Sequence, residues 1–145
     1  MRGYLQLLRP GNCLMAVLSV AIVALVASGL DILSIPLEQV AAAGLVVFAF
    51  TGAGNALNDY LDRENDRKNH PERPLPSGRA GPRGAATMSA ALFGVAVALG
   101  FWLSLECMLV ILLNLAIMLA YEFKAKAMGL SGNLLPIFLQ ERRGI

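Results

Sequence analysis

No charged side chain interrupts the sequence from Leu14 to Leu30, from Val40 to Leu57, from Gly84 to Leu105, or from Cys107 to Tyr121. Runs of this length restrict the fold severely, because a helix needs about 20 apolar residues, with a range of about 17–25, to cross a bilayer. The first three runs qualify. The fourth is short, but it can extend to Phe123 and to the stem of Lys124, whose ammonium can snorkel to the interface. A fifth apolar run begins near residue 130 and stops at Leu139, about half the length required. The first run is too long for a cleavable leader and lacks a small-residue cleavage site before a polar segment. Charged residues make up 15% of the chain and hydrophobic ones 57%, against about 25% and 45–50% in a soluble domain. Disordered, collagen-like and nucleic-acid-binding classes are thereby excluded. The expected fold is an all-α, multi-pass transmembrane helical bundle with spans at about 14–30, 38–57, 84–105 and 107–123.

The basic residues orient these spans. All twelve fall in three places: Arg2 and Arg9 before the first run; Arg63, Arg67, Lys68, Arg73, Arg79 and Arg83 between the second and third; Lys124, Lys126, Arg142 and Arg143 after the fourth. The alternate connections, at 31–38 and at Glu106, hold acidic residues and no basic one. Cytoplasmic loops carry the Lys/Arg excess, so the amino terminus and the loop 58–83 are expected in the cytoplasm of a cell-membrane protein. Cys13 and Cys107 form neither a disulfide framework nor a metal site, and each reads as a small buried hydrophobe.

The loop 58–83 holds the densest chemistry. If the second helix continues through Asn58 to about Asn69, with Pro71 and Pro74 stopping it, then Asn55, Asp59, Asp62 and Asp66 fall in a sector of about 60° at about 100° per residue. Like charges at this spacing destabilise a bare helix by about 0.2–0.5 kcal/mol per pair, so a counter-charge is expected. Hard oxygen ligands in a row suit Mg2+, which takes one or two protein carboxylates and completes its shell with water and substrate phosphate. Arg63, Arg67, Lys68 and Arg73 add phosphate-binding charge. A solvated surface is the alternative, but the polar stripe starts inside the second span at Asn55, and polar groups within a bilayer mark function by default. Glu64 falls off the stripe and is expected to pair with Arg67 or Lys68. His70, the sole histidine, lacks a second imidazole for metal binding. Gly52 and Gly54 read as sites of close helix approach, and Pro74-Leu75-Pro76-Ser77-Gly78 as a rigid turn back to the membrane.

The segment Asn58-Asp-Tyr-Leu-Asp-Arg-Glu-Asn-Asp66, followed by Asn69-His-Pro-Glu-Arg-Pro-Leu-Pro-Ser-Gly78, resembles the first aspartate-rich signature of the UbiA family of intramembrane prenyltransferases. Leu8-Arg-Pro-Gly-Asn-Cys-Leu-Met15 is similar to the family's amino-terminal stretch, and Tyr121, Lys126 and Gly132-Asn133 to a later block. The wording is nearest to the archaeal branch that makes membrane ether lipids by moving a geranylgeranyl group from geranylgeranyl diphosphate to geranylgeranylglyceryl phosphate. The resemblance implies that Asp59, Asp62 and Asp66, with Asn58 beside them, hold Mg2+ and through it the prenyl diphosphate. It places Arg73 at phosphate, Tyr121 and Lys126 near the diphosphate and the reacting end with Lys124 as a competitor, and Asn55 at the pocket. One departure stands out. The family has about nine spans and a second aspartate-rich loop, whereas no aspartate follows Asp66 here. Residues 1–145 therefore read as the amino-terminal part of such an enzyme, ended early. The competing readings are a family member acting on an aromatic acceptor of the 4-hydroxybenzoate kind, and a non-catalytic four-helix membrane subunit whose acidic stripe binds cations.

Overall fold

The computed structural model describes residues 2–122, and every regular element among them is helical. In chain order these are α1 (Arg2–Leu8), α2 (Pro10–Ala27), a 3-10 turn (Ile32–Ser34), α3 (Leu37–Asn69), α4 (Pro82–Leu103) and α5 (Leu105–Ala120). Prolines set the starts of α2 and α4, where a missing N–H costs nothing. α3 ends at Asn69, before Pro71, as the sequence predicts.

The first apolar run differs from its expected 14–30. Its helix begins four residues earlier, at Pro10, and stops at Ala27. Gly29 and Leu30 both adopt left-handed backbone (φ 66° and 68°), which a helix cannot continue through. Asp31 then accepts from the Leu33 N–H at 3.0 Å to start the 3-10 turn. A further helix, α1, precedes the first run. Arg9 separates it from α2 with φ 51° and ψ 68°, because the residue before a proline is pushed out of the right-handed helical region.

α3 is the spine. Val17 lies by Gly44, Cys13 by Gly52 and Leu8 by Asn55, so α2 runs antiparallel to it. On its other side Phe50 meets Phe93 edge-on with centroids 5.3 Å apart, and the buried Ser89 hydroxyl donates to the Ala53 carbonyl at 2.8 Å. α4 is therefore antiparallel to α3 as well. The α3 residues that make these contacts are mainly small: Ala42, Gly44, Ala49, Gly52, Ala53 and Ala56 are buried, which lets backbones approach without a hydrophobic driving force between helices. A Cβ on Gly52 would lie 3.0 Å from Leu8 Cδ2, the close approach expected there. The outward faces are apolar, with Leu14, Leu18, Ile22, Phe101 and Trp102 exposed. α2, α3 and α4 are each long and apolar enough to cross a membrane.

α4 and α5 are divided by the single extended residue Ser104 (φ −170°), whose hydroxyl accepts from the Cys107 N–H at 3.1 Å. At 16 residues α5 is shorter than the three candidate spans. Its proposed extension through residues 123–124, and the fifth run from 130, lie outside the described residues. The chain falls into two compact units, Met1–Ile111 and Leu112–Ile145, the second beginning within α5.

Candidate functional site

The 33 residues of α3 make a rod about 50 Å long at 1.5 Å per residue, well beyond a hydrocarbon core of about 30 Å. Its uncharged stretch ends at Leu57, and the carboxylates lie on the remainder of the rod. The helix is continuous through Asn55, Asp59, Asp62 and Asp66, so the one-faced stripe read from the spacing forms.

The carboxylates are not solvated. Asp59 and Asp66 are each only 5% exposed, and Asp62 is half-buried. Burying an ionised carboxylate is expensive unless it is paired, and each buried one has an arginine. Arg73, from the loop after α3, donates through Nη1 to both oxygens of Asp66 at 2.8 and 2.7 Å. Arg9, from the α1–α2 elbow fifty residues away, reaches Asp59 with Nη2 to Oδ1 at 2.5 Å. Burial pushes the Asp59 carboxyl above the usual carboxylate range, while Arg9 and then Arg73 pull it back. The hydrogen bond to Asp66 holds the Arg73 guanidinium even more firmly charged than usual.

The elbow that delivers Arg9 is itself built by the helices around it. The Asn12 N–H turns to the Arg9 carbonyl, and the Leu8 carbonyl instead accepts from Asn55 Nδ2 at 2.9 Å and from the buried Cys13 thiol at 3.2 Å. Asn55 thus braces the elbow, a role beside the pocket position that the resemblance implies. Beneath it Leu7, Ala56, Ala80 and Ala85 form a core with Tyr4, Tyr60, Leu75 and Met88 packed around them. The Pro-rich loop is fixed from the same side. Tyr4 Oη accepts from the Gly81 N–H at 3.3 Å, Arg79 Nε donates to Ser77 Oγ at 2.9 Å, and Arg79 Nη2 donates to the Glu72 carbonyl. Gly78 takes φ 75° to turn the chain.

The off-stripe residues behave as surface. Glu64 stands 3.9 Å from Arg67 and 3.7 Å from Arg63, all three substantially exposed. Arg63 also lies over the Tyr60 ring, 4.6 Å from its centroid. His70 faces Glu72 at 3.4 Å on the surface.

Sequence reasoning missed Arg9 as a site residue. Arg9 signalled orientation and stood in the stretch that resembles the family's amino-terminal motif, but nothing local tied it to Asp59. The stripe fits Mg2+ by donor chemistry, since all its charged groups are hard carboxylate oxygens. Among the described residues no three carboxylate, histidine or cysteine side chains converge on one point. Any one Mg2+ held here would therefore take at most two of these side chains, the number it ordinarily takes. Tyr121 lies in the second unit, with 62% of it exposed. Lys124 and Lys126 lie outside the described residues.

A membrane bundle with arginine-paired carboxylates on its longest helix can be compared with known proteins. A digeranylgeranylglyceryl phosphate synthase from Methanothermobacter thermautotrophicus is 41% identical over 96% of this chain and 47% of its own length. The protein of that name from Natronomonas pharaonis is 44% identical over 95% of this chain and 48% of its own. A solved structure, described as giving structural and mechanistic insights into the biosynthesis of digeranylgeranylglyceryl phosphate synthase in membranes, matches with a TM-score of 0.78 and 31% identity. It covers 86% of this chain and 44% of that one. The chain thus spans about half the length of the curated relatives it matches. Residues 14–138 match the UbiA prenyltransferase family, and a match over that much of the sequence, on an all-helical membrane fold, makes the chain a member of this family.

Proposed function

We propose that this chain forms the donor-binding part of a Mg2+-dependent prenyltransferase that moves a geranylgeranyl group from its diphosphate to geranylgeranylglyceryl phosphate in ether-lipid synthesis. The observation that carries the reading is the acidic face of α3, with Arg9 and Arg73 at its two buried carboxylates. The names of the relatives favour a lipid-phosphate acceptor over an aromatic one.

In this reading Asp59, Asp62 and Asp66, with Asn58 beside them, would hold Mg2+, with no more than two of the carboxylates on any one ion. The ion supplies Lewis-acid neutralisation of the charge that gathers on the departing diphosphate. Arg73 binds diphosphate oxygens, a task suited to a planar, forked donor. The allylic C–O bond breaks with its electron pair leaving on diphosphate, the acceptor hydroxyl oxygen bonds to the freed carbon, and the hydroxyl proton is released. Tyr121 and Lys126, or Lys124 in its place, are assigned near the reacting end by the family resemblance. The prenyl tail lies among the apolar helices.

Because the chain spans about half of its relatives, donor binding is the informative measurement. Purified protein in detergent should bind radiolabelled geranylgeranyl diphosphate with Mg2+ present and lose it on chelation. Asp62→Asn or Asp66→Asn should cost at least about tenfold in affinity, as expected when a charge-assisted contact is lost. Asp31→Asn, in the α2–α3 connection, should cost nothing. Equal losses from Asp31→Asn and Asp62→Asn would overturn the assignment.

A further inference from the structure

We propose that Arg9 is an exchangeable counterion: it pairs with Asp59 in this structure, and when a divalent cation takes that carboxylate, its guanidinium turns to the diphosphate. The inference rests on the donor-binding reading above, in which Arg9 is only the partner of Asp59, and gives that residue a role toward the diphosphate.

Three observations lead to it. First, accessibility is asymmetric within the pair, since the Arg9 side chain is 36% exposed and that of Asp59 only 6%. An anion arriving from solvent meets the guanidinium first, whereas a cation that ligates Oδ1 of the carboxylate must displace it. Second, the pair is made by Nη2 on one carboxylate oxygen, although a guanidinium carries five N–H donors in a fork suited to phosphate. Third, the backbone at Arg9 is anchored independently of the ion pair. Asn55 Nδ2 and the Cys13 thiol both hold the Leu8 carbonyl, and the Asn12 N–H donates to the Arg9 carbonyl at 2.9 Å. The side chain can therefore swing while its Cα stays in place.

Electrostatics sets the direction of the exchange. A cation and a guanidinium on one carboxylate repel each other, and the repulsion is strong in a partly desolvated site. A diphosphate relieves it by offering Arg9 new oxygens close at hand. Arg73 holds Asp66, seven residues further along α3, by both carboxylate oxygens, so one guanidinium flanks each end of the stripe. Arg9 is then a positioning residue for Asp59 without diphosphate and a binding residue with it.

The two roles predict effects of opposite sign, which simple bracing of the fold does not. Mn2+ alone, read by its paramagnetic resonance, and inorganic pyrophosphate with Mg2+, read by calorimetry, are the probes, applied to the full 145-residue chain in detergent. Arg9→Gln should tighten Mn2+ binding about tenfold, because the competitor for Asp59 is gone, and weaken pyrophosphate binding about tenfold. Adding Asp59→Asn to Arg9→Gln should abolish the gain in Mn2+ affinity. Arg9→Lys, which keeps the charge, should recover most of the pyrophosphate affinity and guards against a folding defect in the glutamine variant. If the wild-type chain binds pyrophosphate while Arg9→Gln weakens both probes or changes neither, Arg9 is only a brace and the proposal fails. If the wild-type chain itself binds no pyrophosphate, the donor-binding reading fails and takes this inference with it.

Discussion

The Leu8 carbonyl takes no part in any reaction, yet its two hydrogen bonds decide where Arg9 points. Asn55 contributes one of them across α3, and its replacement leaves that oxygen with the thiol as its remaining donor. Asn55→Ala is expected to cost about 1 kcal/mol, the usual net worth of such a bond, seen as a lower melting temperature in detergent. Asn65→Ala, exposed on the same helix, should stay within about 0.5 kcal/mol of wild type; equal losses at both positions would deny Asn55 its special place. At this scale the sequence revealed one half of each ion pair. The spacing of Asp59, Asp62 and Asp66 is a local property of one helix, and the helical period is enough to align them. The need for counter-charge was also legible, since like charges three and four apart repel. Arg73, seven residues past Asp66, was within reach of that reasoning. Arg9 was not, because its partner lies fifty residues away and only the packing of α1 and α2 on α3 brings them together.

At the scale of elements, α1 is the part no periodicity announced. It is seven residues long, too short to display a repeat and too short to persist without tertiary support. That support comes from α3, where Leu7 packs with Ala56, and from the Pro-rich loop. Gly3 is buried where an added Cβ would run into the Arg79 carbonyl, and Gly84 faces the Tyr4 ring in the same way. Gly3→Ala must therefore push α1 off the loop or shift the loop itself, a form of overpacking that costs about 1–3 kcal/mol. Limited trypsin digestion in detergent should show faster native-state cleavage after Arg79 and Arg83 in Gly3→Ala than in wild type. Gly11→Ala is the matched control, since nothing lies within 4 Å of its added Cβ, and its cleavage rate should be unchanged or lower. Equal acceleration in both variants would mean that α1 does not clamp the loop. The longer helices were legible because apolar length and prolines mark them. Their ends were less so. Ala27 stops α2 three residues before the apolar run does, since left-handed backbone at Gly29 and Leu30 breaks a helix without any change in hydropathy.

For the whole molecule, the antiparallel course of α2, α3 and α4 puts the amino-terminal elbow, the far end of α3 and the start of α4 at one end of the bundle, and the 31–36 connection at the other. That connection separates the only basic residues of the first unit from its acidic end: eight arginines and lysines lie at the elbow end, from Arg2 and Arg9 to the six between Arg63 and Arg83, while Asp31 and Glu38 lie opposite. The helical course and the charge asymmetry are independent of each other, and they agree. Positively charged loops stay in the cytoplasm, so the carboxylate stripe and its arginines are expected to face the compartment in which a water-soluble diphosphate headgroup and Mg2+ would reach them. The prediction is read with an impermeant maleimide on intact cells, in a background of Cys13→Ser and Cys107→Ser. Ser34→Cys, exposed in the 31–36 connection, should label from outside. Ser77→Cys, exposed in the loop beside Arg73 and Arg79, should label only after the membrane is permeabilised. The reverse pattern would place the acidic stripe outside the cell, where neither the positive charge around it nor a cytoplasmic donor could be accounted for.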